Sequence, residues 1–253
     1  MRYTLPSVLA VVCLGLCLAC SSSDSNAPES DGDTNDGEVS ADGDEAESEA
    51  ELEAESEEPA VCALPIEART TPNTTDTTFD LGPYLMHTTK ESAVVMWRTL
   101  TETDGKVVWG VGDALDQETV QQGTSKIHEI TLTGLTADTR YAYKVVSGGV
   151  ESAVHHLHAA PKDYKPVRFV VGGDSQGHPE IFGPIVTQML AFEPFFMLHV
   201  GDSVQTPLMG SSYDPFRSEL FDAIRPMAHE VPFYESIGNH EKESQDWYNL
   251  VSY

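Results

Sequence analysis

Two rhythms of apolar and polar residues divide this chain near residue 160. Between 72 and 160, short apolar runs are separated by turn residues. The runs are Ser92–Arg98, Lys106–Trp109, Ile127–Leu132, Tyr141–Val146 and Val150–His158, with Thr103-Asp104-Gly105 turning the chain between the first two. In Ile127–Leu132 the residues Ile127, Glu129 and Thr131 alternate with His128, Ile130 and Leu132, the period of a strand with one face buried. Short strands punctuated at regular intervals predict a β-sandwich. From Pro166 the rhythm changes. Val167–Val171, Phe195–Val200 and Phe233–Ile237 read as buried strands. Pro179–Phe192 between them carries Ile181, Ile185, Met189 and Phe192 near helical spacing, and Tyr213–Met227 reads as a second helix ended by Pro226. Strands alternating with helices predict β-α-β-α-β and a parallel sheet.

The N-terminus has neither rhythm. Arg2 is followed by an uncharged, mostly apolar run from Leu5 to Ala19, shorter than the ~20 residues a membrane span needs. It ends Cys17-Leu18-Ala19-Cys20. A small residue before Cys20 suits signal-peptide cleavage, and the run resembles a bacterial lipobox, which implies a lipidated Cys20. Cys17 stands where that pattern usually has Leu; the plainer reading is ordinary secretion with cleavage elsewhere. Residues 21–60 hold 16 acidic and no basic residues in a Ser/Asp/Glu/Gly/Ala background, a composition that predicts a disordered, extended tether. The run Asp31–Gly37 misses a calcium loop because its Gly falls one position late. With the signal removed and Cys20 lipidated, Cys62 is the one remaining thiol, either free or paired with a cysteine outside this sequence. The net charge of −27 argues against nucleic-acid partners, which require a basic footprint.

Candidate chemistry lies in three blocks, each following a strand: Gly173-Asp174-Ser175-Gln176, Gly201-Asp202-Ser203-Val204 and Gly238-Asn239-His240-Glu241. Parallel strands bring such blocks to one sheet edge. Asp and Asn oxygens with imidazole suit Zn, Mn or Fe. Two such ions can clamp an in-line phosphoryl displacement. Gly-Asp and Gly-Asn also favour tight turns, which is the competing explanation for any one block taken alone. Among other histidines, His155, His156 and His158 share one strand, and His156 and His158, on the same face, read as a surface pair. His199 reads as a hydrogen-bonded core residue. His178 lies close enough to Gln176 to approach the cavity, and His229 has no partner evident in sequence.

The stretch Leu135-Thr136-Ala137-Asp138-Thr139-Arg140-Tyr141 resembles the tyrosine corner of fibronectin type III domains, with Ala137 in place of the usual Pro. That likeness places Trp97 and Tyr141 in the core or corner. The three blocks in this order resemble the calcineurin-like metallophosphoesterases. The preceding sandwich makes the nearer likeness the purple acid phosphatases. The resemblance covers about residues 72–253. It implies that Asp174 ligates a first metal, Asp202 bridges two, Asn239 binds the second and holds phosphate, and His240 faces the substrate. Gln176 stands where many relatives have a His ligand, and Glu241 is expected to orient His240 from behind.

The implied protein has a signal peptide (1–19), a lipidated Cys20 and tether (20–60), a linker (61–71) and a fibronectin III-like all-β sandwich (72–160). The N-terminal part of an α/β metallophosphoesterase domain (161–253) follows, the βαβαβ portion of an α/β/β/α sandwich. The implied function is metal-dependent hydrolysis of phosphate esters with two divalent or trivalent ions (Zn, Mn or Fe). The implied location is outside the cytoplasm, at a bacterial outer membrane or cell surface. Two departures qualify it. Gln205 stands where purple acid phosphatases place a tyrosine, so no charge-transfer colour is expected. The histidine ligands of later family blocks do not occur before Tyr253. The expectation from this is an incomplete chain whose C-terminal half is missing or comes from another polypeptide. Its α/β part would then leave Val170, Phe196 and Leu198 or their neighbours open to water, while 72–160 folds alone. The rival reading is a surface-binding protein or pseudoenzyme that uses the sandwich.

Overall fold

The computed structural model describes residues 76–163, 166–205 and 213–252. The expectations for the signal peptide, Cys20, the tether, Cys62 and the linker lie outside these residues. All described residues fall within one compact unit of the chain.

The first half is a β-sandwich. One sheet is antiparallel, in the order β1 (Leu81–Met86), β2 (Ser92–Thr103), β5 (Ser125–Thr133). The other runs β4 (Gln117–Val120), β3 (Gly105–Val111), β6 (Arg140–Ser147), β7 (Val150–Glu151), and β8 (His155–His158) also pairs with β6. Val95, Trp97, Val107, Ile130, Leu132 and Tyr143 fill the space between them. The Tyr141 hydroxyl accepts a hydrogen bond from the Thr136 amide at 2.7 Å, which closes the corner expected from the sequence. Val150–His158, expected as one strand, is two. Beyond the Ser152 amide, which still donates to the Val145 carbonyl, the Ser152 hydroxyl takes the Val145 amide and the Asp76 carboxylate takes the Ala153 amide, so side chains break the ladder between β7 and β8.

The second half holds β9 (Phe169–Gly172), β10 (Phe196–His199) and β11 (Phe233–Glu235), all parallel in the order β11-β10-β9. Helix α1 (Pro179–Leu190) connects the first two. A π-helix (Phe216–Phe221) running into α2 (Asp222–Ala228) precedes the third, and α3 (Gln245–Leu250) follows it. The buried stripe of α1 is Phe182, Val186 and Met189, and Ile181 is half exposed. The expected stripe is thus off by one residue at its start, about 100° around the helix. Glu193 adopts φ 50° beyond α1, and its amide bonds the Leu190 carbonyl, so Phe192 lies past the helix end. Pro226 does not end α2. It costs one backbone bond, but Ile224, Met227 and Ala228 are buried and carry the helix on to Ala228.

The two halves, expected as separate folding units, share a core. Strand β2 is buried on both faces: Ala93, Val95 and Trp97 face the sandwich interior, while Val94 and Met96 join a core shared with the α/β half. Leu81, Tyr84 and Met86 join it too. The Tyr84 ring lies 4.8 Å from Phe221 and 5.8 Å from Phe233, and its hydroxyl donates to the Leu250 carbonyl at 2.8 Å. Tyr143 donates to the His229 carbonyl at 2.5 Å, and the His229 ring stacks on His155 at 4.3 Å. His155, on the face opposite His156 and His158, is fully buried and pairs with Asp76 at 2.7 Å. Released from its partner, the sandwich would expose five large apolar side chains, each worth roughly 1.5–3 kcal/mol when buried.

One face of the parallel sheet packs Val170, Met197 and Phe233 into that core. Val170 was expected to meet water and is instead 1% exposed. On the opposite face the partly buried Phe196, Leu198 and Tyr234 border a groove of about 380 Å³.

Candidate functional site

Because β9, β10 and β11 are parallel, their C-terminal ends share one edge of the sheet, where α/β proteins place ligands. The three blocks leave from this edge and are tied together by their own backbone. The Asp174 amide donates to the Gly201 carbonyl at 3.1 Å, and the Gln176 amide donates to the Asp202 carbonyl at 3.1 Å. The His240 amide donates to Asp202 Oδ1 at 2.9 Å, joining the third block to the second. Asp174 (φ 51°) and Asp202 (φ 56°) both lie in the left-handed region, which Asp tolerates better than most residues. A Cβ on Gly238 would stand 2.2 Å from Asp202 Oδ1, and one on Gly201 (φ 95°) would stand 2.8 Å from the Gly238 amide. The glycines are therefore what lets the second and third loops meet.

Glu241 is fully buried behind this junction. Its Oε2 accepts from the amides of Gly238 (2.6 Å) and Asp202 (3.0 Å). Its Oε1 accepts from the amide (2.6 Å) and hydroxyl (3.0 Å) of Ser203 and from the Val204 amide (3.3 Å). Glu241 was expected to orient His240, but its carboxylate instead braces the Asp202 loop. The His240 ring is held by Gln205, with Nδ1 2.7 Å from that residue's carbonyl oxygen. A carbonyl only accepts, so Nδ1 is the nitrogen that carries a proton in this bond, and Nε2 points away from it.

Beneath the loops lies a buried polar pair that the sequence did not mark as a unit. His199 Nε2 is 3.1 Å from the Ser175 hydroxyl, and its Nδ1 is 3.5 Å from Glu235 Oε1. Burial pushes His199 down to about 4 and Glu235 up to about 8, so a neutral imidazole faces a protonated carboxyl near neutral pH. His178 sits at the start of α1, exposed and 3.4 Å from Glu180.

Asp174 and Asn239 are exposed, and Asp202, Gln176 and His240 are partly buried. Gln176 Oε1 is itself buried with no hydrogen-bond partner among the described residues, an acceptor suited to a donor or a cation. Asp174, Asp202, Gln176 and Asn239 thus offer oxygen donors from loops that meet, a set that fits a hard or borderline cation. Among the described residues no group of three His, Cys, Asp or Glu side chains forms a metal cluster, so the donor set relies on its amide oxygens.

Comparisons with known proteins bear on this arrangement. Residues 82–159 match the family described as "Purple acid Phosphatase, N-terminal domain". Purple acid phosphatase 18 of Arabidopsis thaliana is 30% identical over 135 residues, which are 53% of this chain and 29% of that protein. This chain therefore spans well under half of that relative. Among solved structures, purple acid phosphatase PPD1 from yellow lupin seeds is 18% identical, with a TM-score of 0.49, over 63% of this chain and 35% of its own. PhoD is 14% identical, with a TM-score of 0.48, over 67% and 40%. The chain is similar to the purple acid phosphatases, most directly across its β-sandwich.

Proposed function

We propose that this chain carries the strand-end site of a metal-dependent phosphoric ester hydrolase of the acid-phosphatase-like kind. The observation that carries this reading is the lacing of Asp174, Gln176, Asp202 and the Asn239-His240 pair into one rim at the C-terminal edge of a parallel sheet. The match of the preceding sandwich to a purple acid phosphatase domain supports it. In this reading residues 161–253 are metallophosphoesterase sequence, and Asp174, Gln176, Asp202 and Asn239 hold two cations of the Zn, Mn or Fe class. Such ions supply Lewis acidity to a phosphoryl oxygen and lower the pKa of water. The protein's own part is positional. Asp202 is fixed by the His240 amide and its loop by Glu241, so its free oxygen keeps one direction. Asn239 donates its amide to a phosphate oxygen. His240, anchored through Nδ1, presents Nε2 to the ester oxygen and donates a proton when charged. Water oxygen bonds to phosphorus as the P–O ester bond breaks, the leaving alkoxide takes the His240 proton, and the proton the water gives up recharges His240, leaving hydrogen phosphate and the alcohol.

The test is hydrolysis of p-nitrophenyl phosphate with added Mn²⁺ or Zn²⁺. Wild type should turn over substrate only with metal. Asp202→Asn, which keeps an oxygen for the His240 amide, should lose at least about 100-fold in kcat/KM at unchanged Tm, as expected for a lost charge at a metal. Equal rates in the two proteins, or none in wild type, would return the chain to the surface-binding reading.

We also propose export and lipid anchoring at Cys20, supported by the apolar run before it and the acidic stretch after it. Cys20→Ser should move the protein from the detergent-rich to the aqueous phase in Triton X-114 partitioning. Retention of the variant in the detergent phase would rule the anchor out.

A further inference from the structure

We propose that Glu219 is a positioning residue for this site, acting through the Gly177 and Gln205 amides on Gln176 and His240. The inference rests on the phosphoesterase reading for what those groups then do.

Glu219 belongs to no sequence block and sits on the π-helix. Its Oε2 accepts from the Gly177 amide at 2.6 Å and from the Gln205 amide at 2.8 Å. One carboxylate oxygen thus ties the loop after β9 to the loop after β10. Both attachments reach the rim directly. Gly177 (φ 70°) follows Gln176, whose Oε1 is the buried acceptor left without a partner among the described residues. Gln205 offers its carbonyl to His240 Nδ1 on the same peptide-bonded residue whose amide Glu219 holds. Fixing that amide fixes the acceptor that sets the His240 tautomer and ring orientation.

The π geometry bears on how Glu219 gets there. The Asp222 amide bonds the Arg217 carbonyl, an i to i+5 step that adds backbone to one turn. Phe216, Leu220 and Phe221 are buried beside Glu219 and anchor that turn. Deleting the extra residue would rotate Glu219 by about 100° relative to α2 and withdraw it from the loops. Charge-assisted bonds from two amides to one oxygen are also stronger than neutral ones, which favours a carboxylate at this position.

The experiment compares full-length wild type, Glu219→Ala and Glu219→Gln. It reads amide hydrogen exchange, the ¹⁵N shifts of His240 and Mn²⁺ affinity by calorimetry. Glu219→Ala should speed exchange at Gly177 and Gln205 at least tenfold and shift the His240 ring nitrogens toward a tautomer mixture. It should weaken Mn²⁺ binding about 10–100-fold, the usual cost of losing a group behind a ligand. Amides within β10 should keep their protection. Glu219→Gln retains an acceptor oxygen and should recover part of each effect. Unchanged exchange and unchanged His240 shifts in Glu219→Ala would overturn the proposal. So would loss of protection across the whole parallel sheet in both variants, which marks a merely structural role. Should wild type bind no Mn²⁺, the phosphoesterase reading fails, and the exchange and imidazole measurements still decide whether Glu219 positions these loops.

Discussion

Glu241→Ala should destabilise the protein by about 3–5 kcal/mol, the order expected when several buried donors lose their shared acceptor at about 1–3 kcal/mol each and the loops relax in part. The reason is the number of donors that converge there. Four backbone amides and the Ser203 hydroxyl end on the two carboxylate oxygens of a fully buried side chain. Alanine leaves all five unmatched; the Ser203 and Val204 donors are buried and those of Asp202 and Gly238 partly so, and each buried donor left without a partner costs about 1–3 kcal/mol before relaxation. Glutamine is no rescue. One of its two ends is an NH₂ group, which would face either the Gly238 and Asp202 amides or the Ser203 and Val204 amides as donor against donor. Both variants should therefore lower the urea midpoint clearly, with Glu241→Gln less affected than Glu241→Ala. A loss under about 1 kcal/mol in both would show that the loops hold their shape without the carboxylate.

Stability should fall steeply in acid. Burial first, and the neighbouring His155 second, hold His229 down to about 3, against an ordinary value of 6.5. The unfolded chain therefore binds a proton at His229 that the folded chain refuses, and stability drops as pH falls from about 6.5 through about 3. At about 1.4 kcal/mol per unit the full effect is on the order of 4–5 kcal/mol. His199, held down by burial to about 4, acts in the same direction. At Asp76, burial pushes the carboxyl up, but bonds from His155 and Thr78 outweigh it and hold it well below its usual 3.8, so its contribution disappears below that value. Glu235 opposes these groups. Its carboxyl is raised by burial to about 8, so its stabilisation is complete below about 4.5 and is lost as pH rises through 8. Together these place maximal stability near pH 6–7. Chemical denaturation at a series of pH values checks it. His229→Gln should flatten the acid limb, and an acid limb of equal slope in the variant would remove His229 as its source.

Much of the architecture can be read from residue order, for reasons that differ by element. Strand β5 is marked by alternation because one of its faces meets solvent. Strand β1 carries no such mark, since all six residues are buried and Gly82 and Pro83 interrupt its pattern. The unbroken apolar run Ala93–Trp97 reads as a strand, and only packing reveals that it serves two cores. In α1 the adjacent pairs Ile181-Phe182 and Ile185-Val186 support two stripes one residue apart, and contact with the sheet selects the second. The first two blocks are legible because Asp174 and Asp202 take left-handed conformations at the sheet edge, and the third because a Gly at 238 lets its loop meet Asp202. Glu219 is not legible: it reaches Gly177 and Gln205 only through tertiary structure, and nothing in its neighbours announces the π turn. His199 and Glu235 each look like ordinary strand residues until register sets them side by side.

The doubly buried β2 also limits how this protein can be recombined. A fibronectin-like sandwich is usually thought of as a cassette that can be exchanged at its ends, because its outer surfaces face water. Here the outer side of the β1–β2 pair is a floor on which Phe221, Phe233 and Leu250 rest through Tyr84 and its neighbours. A chimera that swaps in another sandwich of the same topology would bring polar residues to that floor. The transplant becomes feasible only if Leu81, Tyr84, Met86, Val94 and Met96 travel with the recipient, so the natural seam for shuffling lies within the sheet and not at the boundary between the halves.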